Sequence, residues 1–171
     1  MKDSGLAYIG CVPTTWGVEK LKYYLKRTTT KNHPDAQVLS LYRDLGIVIK
    51  ESRDDNHNVT GEDTSKYIYV RKNNFVVNKM KAWQGSVAIS DYEGIVSPAY
   101  YVYKITDNNI LPHYFHFLLR NSLYIPEFRR LSGGIREGQW DLSEDALNNI
   151  YILIPPLVEQ KEIAKYLDEK C

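Results

Sequence analysis

"FVVNKMKAWQGSVAIS", Phe75 to Ser90, contains two short apolar runs separated by a polar turn. Both runs are rich in β-branched residues, which favour strands. Similar runs, "YIYV" from Tyr67 and "AYYVYKI" from Ala99, lie on either side of this stretch. The predicted turns are Asn73-Asn74, Gln84-Gly85 and the segment from Asp91 to Gly94. The sequence therefore predicts a sheet of consecutive strands in the middle of the chain.

Two more strands and a long polar segment are predicted before this sheet. "AQVLSLY", Ala36 to Tyr42, alternates as a strand does, and Gly46 to Ile49 is a second apolar run. The segment from Lys50 to Lys66 is rich in polar residues. At about seventeen residues it exceeds the usual loop length, which indicates a functional or a mobile loop. Trp16 to Lys26 fits either a short amphipathic helix or an extended arm.

After Lys104 the spacing of apolar residues changes from that of strands to that of helices. The predicted elements are a helix over Leu111–Tyr124 with Pro112 in its first turn, a short helix over Ile125–Leu131, a glycine-bearing loop over Ser132–Trp140, a helix capped by Ser143, and a strand over Ile150–Ile154. Strands come first and helices later, which predicts the α+β class.

Composition bounds the possible functions. The chain has 171 residues, 43% of them hydrophobic and 25% charged, as in an ordinary soluble protein of one domain. The formal net charge is +1, which argues against coating nucleic acid by bulk charge but allows a local basic face. The first ten residues lack the pattern of a secretory signal, and no apolar run approaches the roughly 20 residues of a membrane span. With only Cys11 and Cys171, no disulfide framework is expected, and we expect a reducing cytoplasm.

The titratable clusters do not point to catalysis. His113 and His116 have a spacing that metal ligands can use, but no third ligand of fitting type lies nearby, so packed helix histidines are expected. The acidic pairs Asp54-Asp55 and Glu62-Asp63 lie in the polar segment, where solvated charges are expected. No glycine-rich phosphate loop and no nucleophile elbow is present in the sequence.

Basic, amide and aromatic residues do cluster, in "NKMKAWQG" from Asn78 and in "EFRRLSGGIREGQW" from Glu127. Lysine and arginine suit phosphates, a glutamine amide suits a base edge, and glycine allows close approach of the backbone. The candidate DNA-binding residues are Lys79, Lys81, Trp83, Gln84, Arg129, Arg130, Gly133, Arg136 and Gln139. The alternative is that the charges are solvated surface groups and that Trp83 and Trp140 belong to the core.

The chain closes with "ILIPPLVEQKEIAKYLDEKC", which predicts a strand, two prolines and a helix. A helix of about fourteen residues is marginal alone in water, so its apolar side needs a partner. The predicted packing residues are Leu157, Ile163, Tyr166 and Leu167. Either the helix packs on its own domain, or it begins a longer helix.

Several segments resemble type I restriction–modification specificity subunits (S subunits), in the order expected of that family. "ILIPPLVEQKEIAKYLD" is similar to the segment that leads into the long spacer helix of these subunits, and "VPTTWGVEKLKYYLK" to their opening motif. "VLSLYRDLGIV" and "FVVNKMKAWQGSVAISDYEGIVSPAYYVYKI" resemble their central sheet. "LSGGIREGQWDLSEDALNNIYILIPP" is similar to their late loop, helix and strand.

The resemblance implies a non-catalytic α+β target-recognition domain with a mainly antiparallel, twisted central sheet and flanking helices. It implies a DNA target-recognition domain over residues 1–155 and the start of a spacer helix over residues 156–171. Such a domain reads one half of a bipartite site in double-stranded DNA. In that family the spacer helices pair with a second target-recognition domain or half-subunit and dock methyltransferase (M) subunits, and the assembly recruits the restriction (R) subunit. S-adenosylmethionine is then expected on the methyltransferase, with no cofactor in this chain and no membrane partner.

This chain departs from the pattern because it holds one such domain, so a fragment or a half-subunit is expected. The prolines Pro155-Pro156 are flanked by Ile154 and Leu157, which cannot hold a flipped base as adenine methyltransferase motifs do. Two other functions stay open at this point. The 14 tyrosines could form a carbohydrate- or ligand-binding surface, or the chain could be a single-chain nuclease.

Overall fold

The computed structural model describes residues 1–50, 64–135 and 139–170. Its strands are β1 (Lys2–Asp3), β2 (Cys11–Val12), β3 (Gly17–Lys20), β4 (Leu25–Thr28), β5 (Leu39–Tyr42), β6 (Gly46–Ile49), β7 (Ile68–Val70), β8 (Phe75–Asn78), β9 (Val87–Ile89), β10 (Gly94–Val96), β11 (Tyr100–Ile105), β12 (Ser132–Gly133), β13 (Asp141–Leu142) and β14 (Tyr151–Ile154). Its α-helices are α1 (Pro112–Arg120), α2 (Ile125–Leu131), α3 (Glu144–Asn148) and α4 (Leu157–Lys170). The predicted α+β fold with a mainly antiparallel sheet and flanking helices is confirmed.

The central sheet has the strand order β4-β11-β8-β9, and all its pairs are antiparallel. Every residue of β8 is buried, because the sheet is covered on both faces. Phe75 and Val77 face a core shared with the helices, whereas Val76 faces a second core shared with the β5–β6 and β7–β10 hairpins. A strand buried on both faces explains why "FVVN" reads as a continuous apolar run rather than an alternating one.

The first predicted helix is shorter in the structure, where it begins one residue later, at Pro112. The predicted helix over Leu111–Tyr124 ends at Arg120, and Asn121 adopts extended dihedrals, with φ −64° and ψ 143°. The side chain of Asn121 accepts a hydrogen bond from the backbone N–H of Leu123 at 2.9 Å. This local bond competes with continuation of the helix, which restarts as α2 after Tyr124.

The predicted cap, arm and turn can each be compared with the structure. The Oγ of Ser143 accepts from the backbone N–H of Ala146 at 3.2 Å, as its predicted capping role requires. Of the two structures predicted for Trp16–Lys26, the segment adopts the extended arm and not the amphipathic helix. It contains β3, one turn of 3-10 helix and the start of β4. The predicted turn from Asp91 to Gly94 ends one residue early, because Gly94 already pairs with Val70 in the sheet. Most of the polar segment Lys50–Lys66 lies outside the described residues.

The two ends of the domain are joined by β3 and β14, which pair antiparallel from Gly17↔Ile154 to Lys20↔Tyr151. Two side chains extend this junction into α4. The indole N–H of Trp16 donates to Glu159 Oε2 at 2.7 Å. Gln160 is 0% exposed, and its amide is fully used. It accepts from the N–H of Leu111 at 2.9 Å and donates to the carbonyls of Asn109 at 2.7 Å and Pro155 at 2.8 Å.

These bonds make Gln160 the polar anchor of the strand-to-helix junction. Replacing it with leucine keeps the volume but leaves three backbone groups without their partner. We expect Gln160→Leu to lower the free energy of unfolding by about 3 kcal/mol, since each buried unpaired group costs about 1–3 kcal/mol. Chemical denaturation measures the loss. Glu162→Leu, at an exposed position of the same helix, is the control and should change stability by less than about 0.5 kcal/mol. Equal losses in the two variants would contradict this account of the junction.

Candidate nucleic-acid interface

A cleft of about 500 Å³ lies between the β5–β6 hairpin and the segment that follows β8. We call it the hairpin cleft. Ser40 and Lys50 line it from the hairpin, and Tyr67 from the segment before β7. Lys81, Trp83 and Gln84 line the opposite side, together with Gln139. The cleft thus collects cationic, amide, hydroxyl and aromatic groups from segments that are far apart in sequence.

The segment after β8 is shaped by its backbone. The side chain of Asn78 accepts from the N–H of Met80 at 3.2 Å, which begins the turn. One turn of 3-10 helix, Ala82–Gln84, then anchors the segment through the buried methyl group of Ala82. Gly85 follows with φ +88°, a left-handed conformation that favours glycine. Because Ala82 points inward, Lys81 and Gln84 are held outward on either side of it.

Two tryptophans connect this segment to α2. The rings of Trp83 and Trp140 meet edge to face at 5.5 Å between centroids, and both side chains are half-buried. The guanidinium of Arg129 lies over the Trp140 ring at 5.8 Å. The indole N–H of Trp83 donates to the carbonyl of Met80 at 3.2 Å. The two tryptophans therefore form an aromatic pair beside the cleft, and the guanidinium of Arg129 packs on it.

A second groove, of about 680 Å³, adjoins the hairpin cleft through Trp83 and Gln84, which line both. Three arginines line it: Arg43 from the hairpin turn, Arg120 from α1 and Arg129 from α2. We call it the arginine groove. Arg43 pairs with its neighbour Asp44 at 3.0 Å, but both side chains are mostly exposed, so the pair is weak. The two clefts form one continuous surface with a local excess of positive charge.

Burial shifts the protonation equilibria of three groups around this surface. Burial raises the pKa of Tyr100, which lines the hairpin cleft, so its hydroxyl stays protonated. Burial also lowers the pKa of Arg120 from its usual value, while nearby Asp44 raises it. His116 lies on the same helix, and burial, Arg120 and His113 lower its pKa to about 4. His116 is therefore neutral near pH 7, and its Nδ1 accepts from the N–H of Ile89 at 3.2 Å.

The structure brings together five of the candidate DNA-binding residues: Lys81, Trp83, Gln84, Arg129 and Gln139. Lys79 is half-buried at the end of β8, and its carbonyl accepts from the N–H of Leu142. Gly133 is exposed and pairs with Asp141 in the β12–β13 hairpin. Arg136 lies outside the described residues.

Arg130 is placed apart from this group. Its Nε and Nη2 donate to the carboxylate of Glu127 at 2.8 and 2.6 Å. It lies on a different groove of the surface, beside Tyr8 and Asn149. Adjacent residues on a helix point about 100° apart, which explains how Arg129 and Arg130 reach different faces.

Sequence reasoning missed the contribution of the β5–β6 hairpin, which supplies Ser40, Arg43 and Lys50. The signal that could have found it is the turn "YRDLG", a pair of opposite charges between two predicted strands.

The predicted packing residues of the last helix divide into two groups. Ile163 and Leu167 are half-buried, whereas Leu157 and Tyr166 are exposed. The face of α4 toward the domain is completed by Gln160 and Ala164, both buried. The helix thus packs on its own domain and still leaves part of its apolar surface uncovered.

The histidines and acidic pairs are the groups that the sequence offers as catalytic candidates. His113 bonds to Asp168 at 2.7 Å, linking α1 to α4. Asp54-Asp55 and Glu62-Asp63 lie outside the described residues. Among residues 1–50, 64–135 and 139–170, no cluster of three or more His, Cys, Asp or Glu side chains could hold a metal ion. In the same ranges no helix has the length and hydropathy needed to cross a bilayer.

Comparison with known proteins adds independent findings. Residues 20–169 match the family model of the type I restriction modification DNA specificity domain. The structure of the HsdS subunit from Thermoanaerobacter tengcongensis superposes with a TM-score of 0.60 at 16% identity, over 94% of this chain and 38% of that one. The type I restriction-modification S subunit from M. genitalium gives 0.57 at 14% identity, over 90% and 38%.

A third similar structure comes from work on complex assembly and conformational transition of a type I R-M system, with a TM-score of 0.60 at 15% identity over 94% of this chain and 39% of that one. This chain therefore spans less than two fifths of the length of each of these three structures. No curated protein sequence matches it significantly.

Proposed function

Since the chain belongs to the type I restriction–modification DNA specificity domain family, we propose that it reads one half of a bipartite duplex target through the hairpin cleft and the arginine groove. The family is a non-catalytic recognition component of restriction–modification systems, and chemistry on the DNA would belong to its partners. The observation that carries the proposal is the convergence of Lys81, Gln84, Arg129 and Gln139 around the Trp83–Trp140 pair.

The convergent groups suit the two tasks of sequence-specific binding. Arg129, Arg43 and Lys81 would contact phosphates, which gives affinity and fixes the orientation of the protein on the duplex. The exposed amides of Gln84 and Gln139 would reach base edges, where a glutamine can pair with both N6 and N7 of adenine. The net charge of +1 means that this local cluster, and not bulk charge, must supply the electrostatic part of binding.

Selection of the purified 171-residue chain against random-sequence duplex DNA tests the proposal. We expect enrichment of a short contiguous motif, the half-site, with retention that falls as salt rises. Retention on immobilised glycans that does not respond to salt, with no DNA motif enriched, would instead favour a carbohydrate-binding module. The selected duplex then serves as the probe in the measurements that follow.

The two adjacent arginines provide a matched pair of variants. Arg129→Ala should reduce the slope of log K against log salt by about 0.9, because one phosphate contact is lost. Arg130→Ala removes the same charge from the pair with Glu127, which lies on a different groove, and should leave the slope unchanged. Fluorescence anisotropy with the selected duplex over a potassium chloride series gives both slopes. Equal effects of the two substitutions would contradict the assignment of the binding surface.

A base-reading side chain should behave differently in the same assay. Gln84→Ala should weaken binding to the selected duplex by roughly 1–3 kcal/mol and leave the salt slope as it is. Binding to an unrelated duplex should hardly change, because that duplex offers no matching base edge. A uniform loss on both duplexes would place Gln84 outside base reading.

We further propose that α4 begins the spacer helix and that its uncovered face meets a methyltransferase subunit or a second specificity domain. S-adenosylmethionine would be bound by the methyltransferase, and the assembly would recruit the restriction subunit. The support lies in the exposed side chains of Leu157, Val158 and Tyr166 on a helix whose other face is already packed.

Tyr166 and Tyr23 are matched in exposure, at 61% and 62%, and only Tyr166 lies on α4. Tyr166→Glu should weaken binding to the methyltransferase subunit by about tenfold or more, because interface tyrosines often dominate binding energy. Tyr23→Glu should leave it unchanged, and both variants should keep their affinity for the selected duplex. Sedimentation of each chain with the methyltransferase subunit measures the difference. If neither variant loses binding, α4 does not belong to the methyltransferase interface.

A further inference from the structure

The β5–β6 hairpin forms one wall of the hairpin cleft but is not a strand of the central sheet. It is a separate two-stranded sheet, paired from Leu39↔Ile49 to Tyr42↔Gly46. Its base is tied down by a bridge between Val38 and Ile95 and by the N–H of Ile95, which donates to the carbonyl of Gln37 at 2.9 Å. Its apolar face packs on the second core. Such apolar contacts keep the hairpin on the domain, but they do not fix the exact position of its turn, because the hydrophobic effect has no direction.

The side chain of Arg120, in α1, holds the turn end of the hairpin. Its Nη2 donates to the carbonyls of Arg43 at 2.6 Å and Asp44 at 3.1 Å. Its Nη1 donates to the carbonyl of Val87 at 3.0 Å, the first residue of β9. One planar guanidinium therefore bridges the hairpin turn, the central sheet and α1, with its donors directed to the backbone.

The turn is also shaped to rest on α1. Gly46 has φ +74°, and a Cβ atom there would lie 3.5 Å from Cε1 of His116 and 3.6 Å from Cβ of Ala88. The imidazole of His116 is in turn fixed by the N–H of Ile89, at 3.2 Å. These distances are ordinary van der Waals contacts, so it is the positive φ that favours glycine at this turn, and Arg120 fastens the turn to the helix.

We infer that Arg120 is a positioning residue for DNA reading, which sets the distance between the two walls of the hairpin cleft. The inference rests on the proposed function, because the hairpin that Arg120 fixes carries Ser40 and Lys50 into the hairpin cleft and Arg43 into the arginine groove. Because three of its five possible donor bonds are directed to backbone carbonyls, we assign Arg120 to positioning the hairpin and not to contacting phosphate. Arg120 holds the backbone carbonyl of Arg43. The exposed side chain of Arg43 then contacts phosphate.

Three variants separate positioning from contact: Arg120→Ala, Arg120→Lys and Arg43→Ala. For each, the dissociation constant for the selected duplex is measured over a salt series, after stoichiometric titration has given the active fraction. We expect Arg120→Ala to weaken binding by about tenfold with an unchanged salt slope, since the wall is displaced but no phosphate contact is lost. Arg120→Lys should recover part of this loss, because an ammonium group has three donors, against five in the guanidinium, to offer the same carbonyls, which lose this partner in the alanine variant. Arg43→Ala should lower the slope by about 0.9.

A second measurement follows the hairpin without DNA. Hydrogen exchange in peptides covering β5 and β6 should become faster in Arg120→Ala than in the wild type, while exchange in β8 and β11 stays the same. A variant that is merely unstable would show a reduced active fraction and faster exchange throughout, with the affinity of the active fraction unchanged. That result would overturn the inference.

The other outcomes are equally decisive. A salt slope that falls by about 0.9 in Arg120→Ala would make Arg120 a phosphate contact, and unchanged affinity would exclude a role in reading. If the wild-type chain binds no duplex, the proposed function fails. Unchanged hydrogen exchange of the hairpin in Arg120→Ala would separately overturn the claim that Arg120 holds the hairpin turn.

Discussion

The antiparallel pairing of β8 with β11 is the constraint on which the rest of the structure depends. Val76 and Val102 are opposite each other on one face of the sheet, and Phe75 and Tyr103 on the other, so the pair contributes to both cores. Helices must therefore cover one face and hairpins the other. The chain that leaves β8 at Asn78 emerges where these two layers meet. A cleft at that position can collect residues from both layers, which is what the hairpin cleft does.

Two polar side chains then determine how peripheral elements sit on this framework. Gln160 joins the strand-to-helix junction to the loop before α1, and Arg120 joins the hairpin turn to β9 and α1. Apolar contacts resist separation of these elements, but they tolerate small shifts, because the hydrophobic effect has no direction. Hydrogen bonds to specific backbone carbonyls do not tolerate such shifts. A recognition surface needs this second kind of contact, since base edges must be met within a few tenths of an ångström.

The sequence was most informative where local chemistry and tertiary structure agree. The runs around Phe75 and Tyr100 predicted strands because burial on both faces demands apolar residues there. The cap at Ser143 could be predicted because it depends on a local bond. Prediction failed where a residue fits two local conformations or where distant groups decide the outcome. The helix break at Asn121 depends on an asparagine side chain, and asparagine is also found within helices. Strand β10 begins at Gly94 because the backbone of Gln37, distant in sequence, approaches it closely.

The same contrast holds for the site. Lys81, Gln84 and Arg129 could be selected from the sequence because they cluster in two short segments, and the family resemblance supplied DNA as their partner. Nothing in the sequence separates Arg129 from Arg130, or brings Arg43 and Arg120 to the same groove, since those relations arise from packing. The most direct test of the account is a titration of the isotopically labelled chain with the selected duplex, followed by amide chemical shifts. The account predicts the largest changes at Ser40 to Arg43, at Lys81 to Gly85 and at Arg129, with α4 unchanged. Changes concentrated on α4 or on the outer face of β7, with the hairpin cleft unchanged, would contradict it.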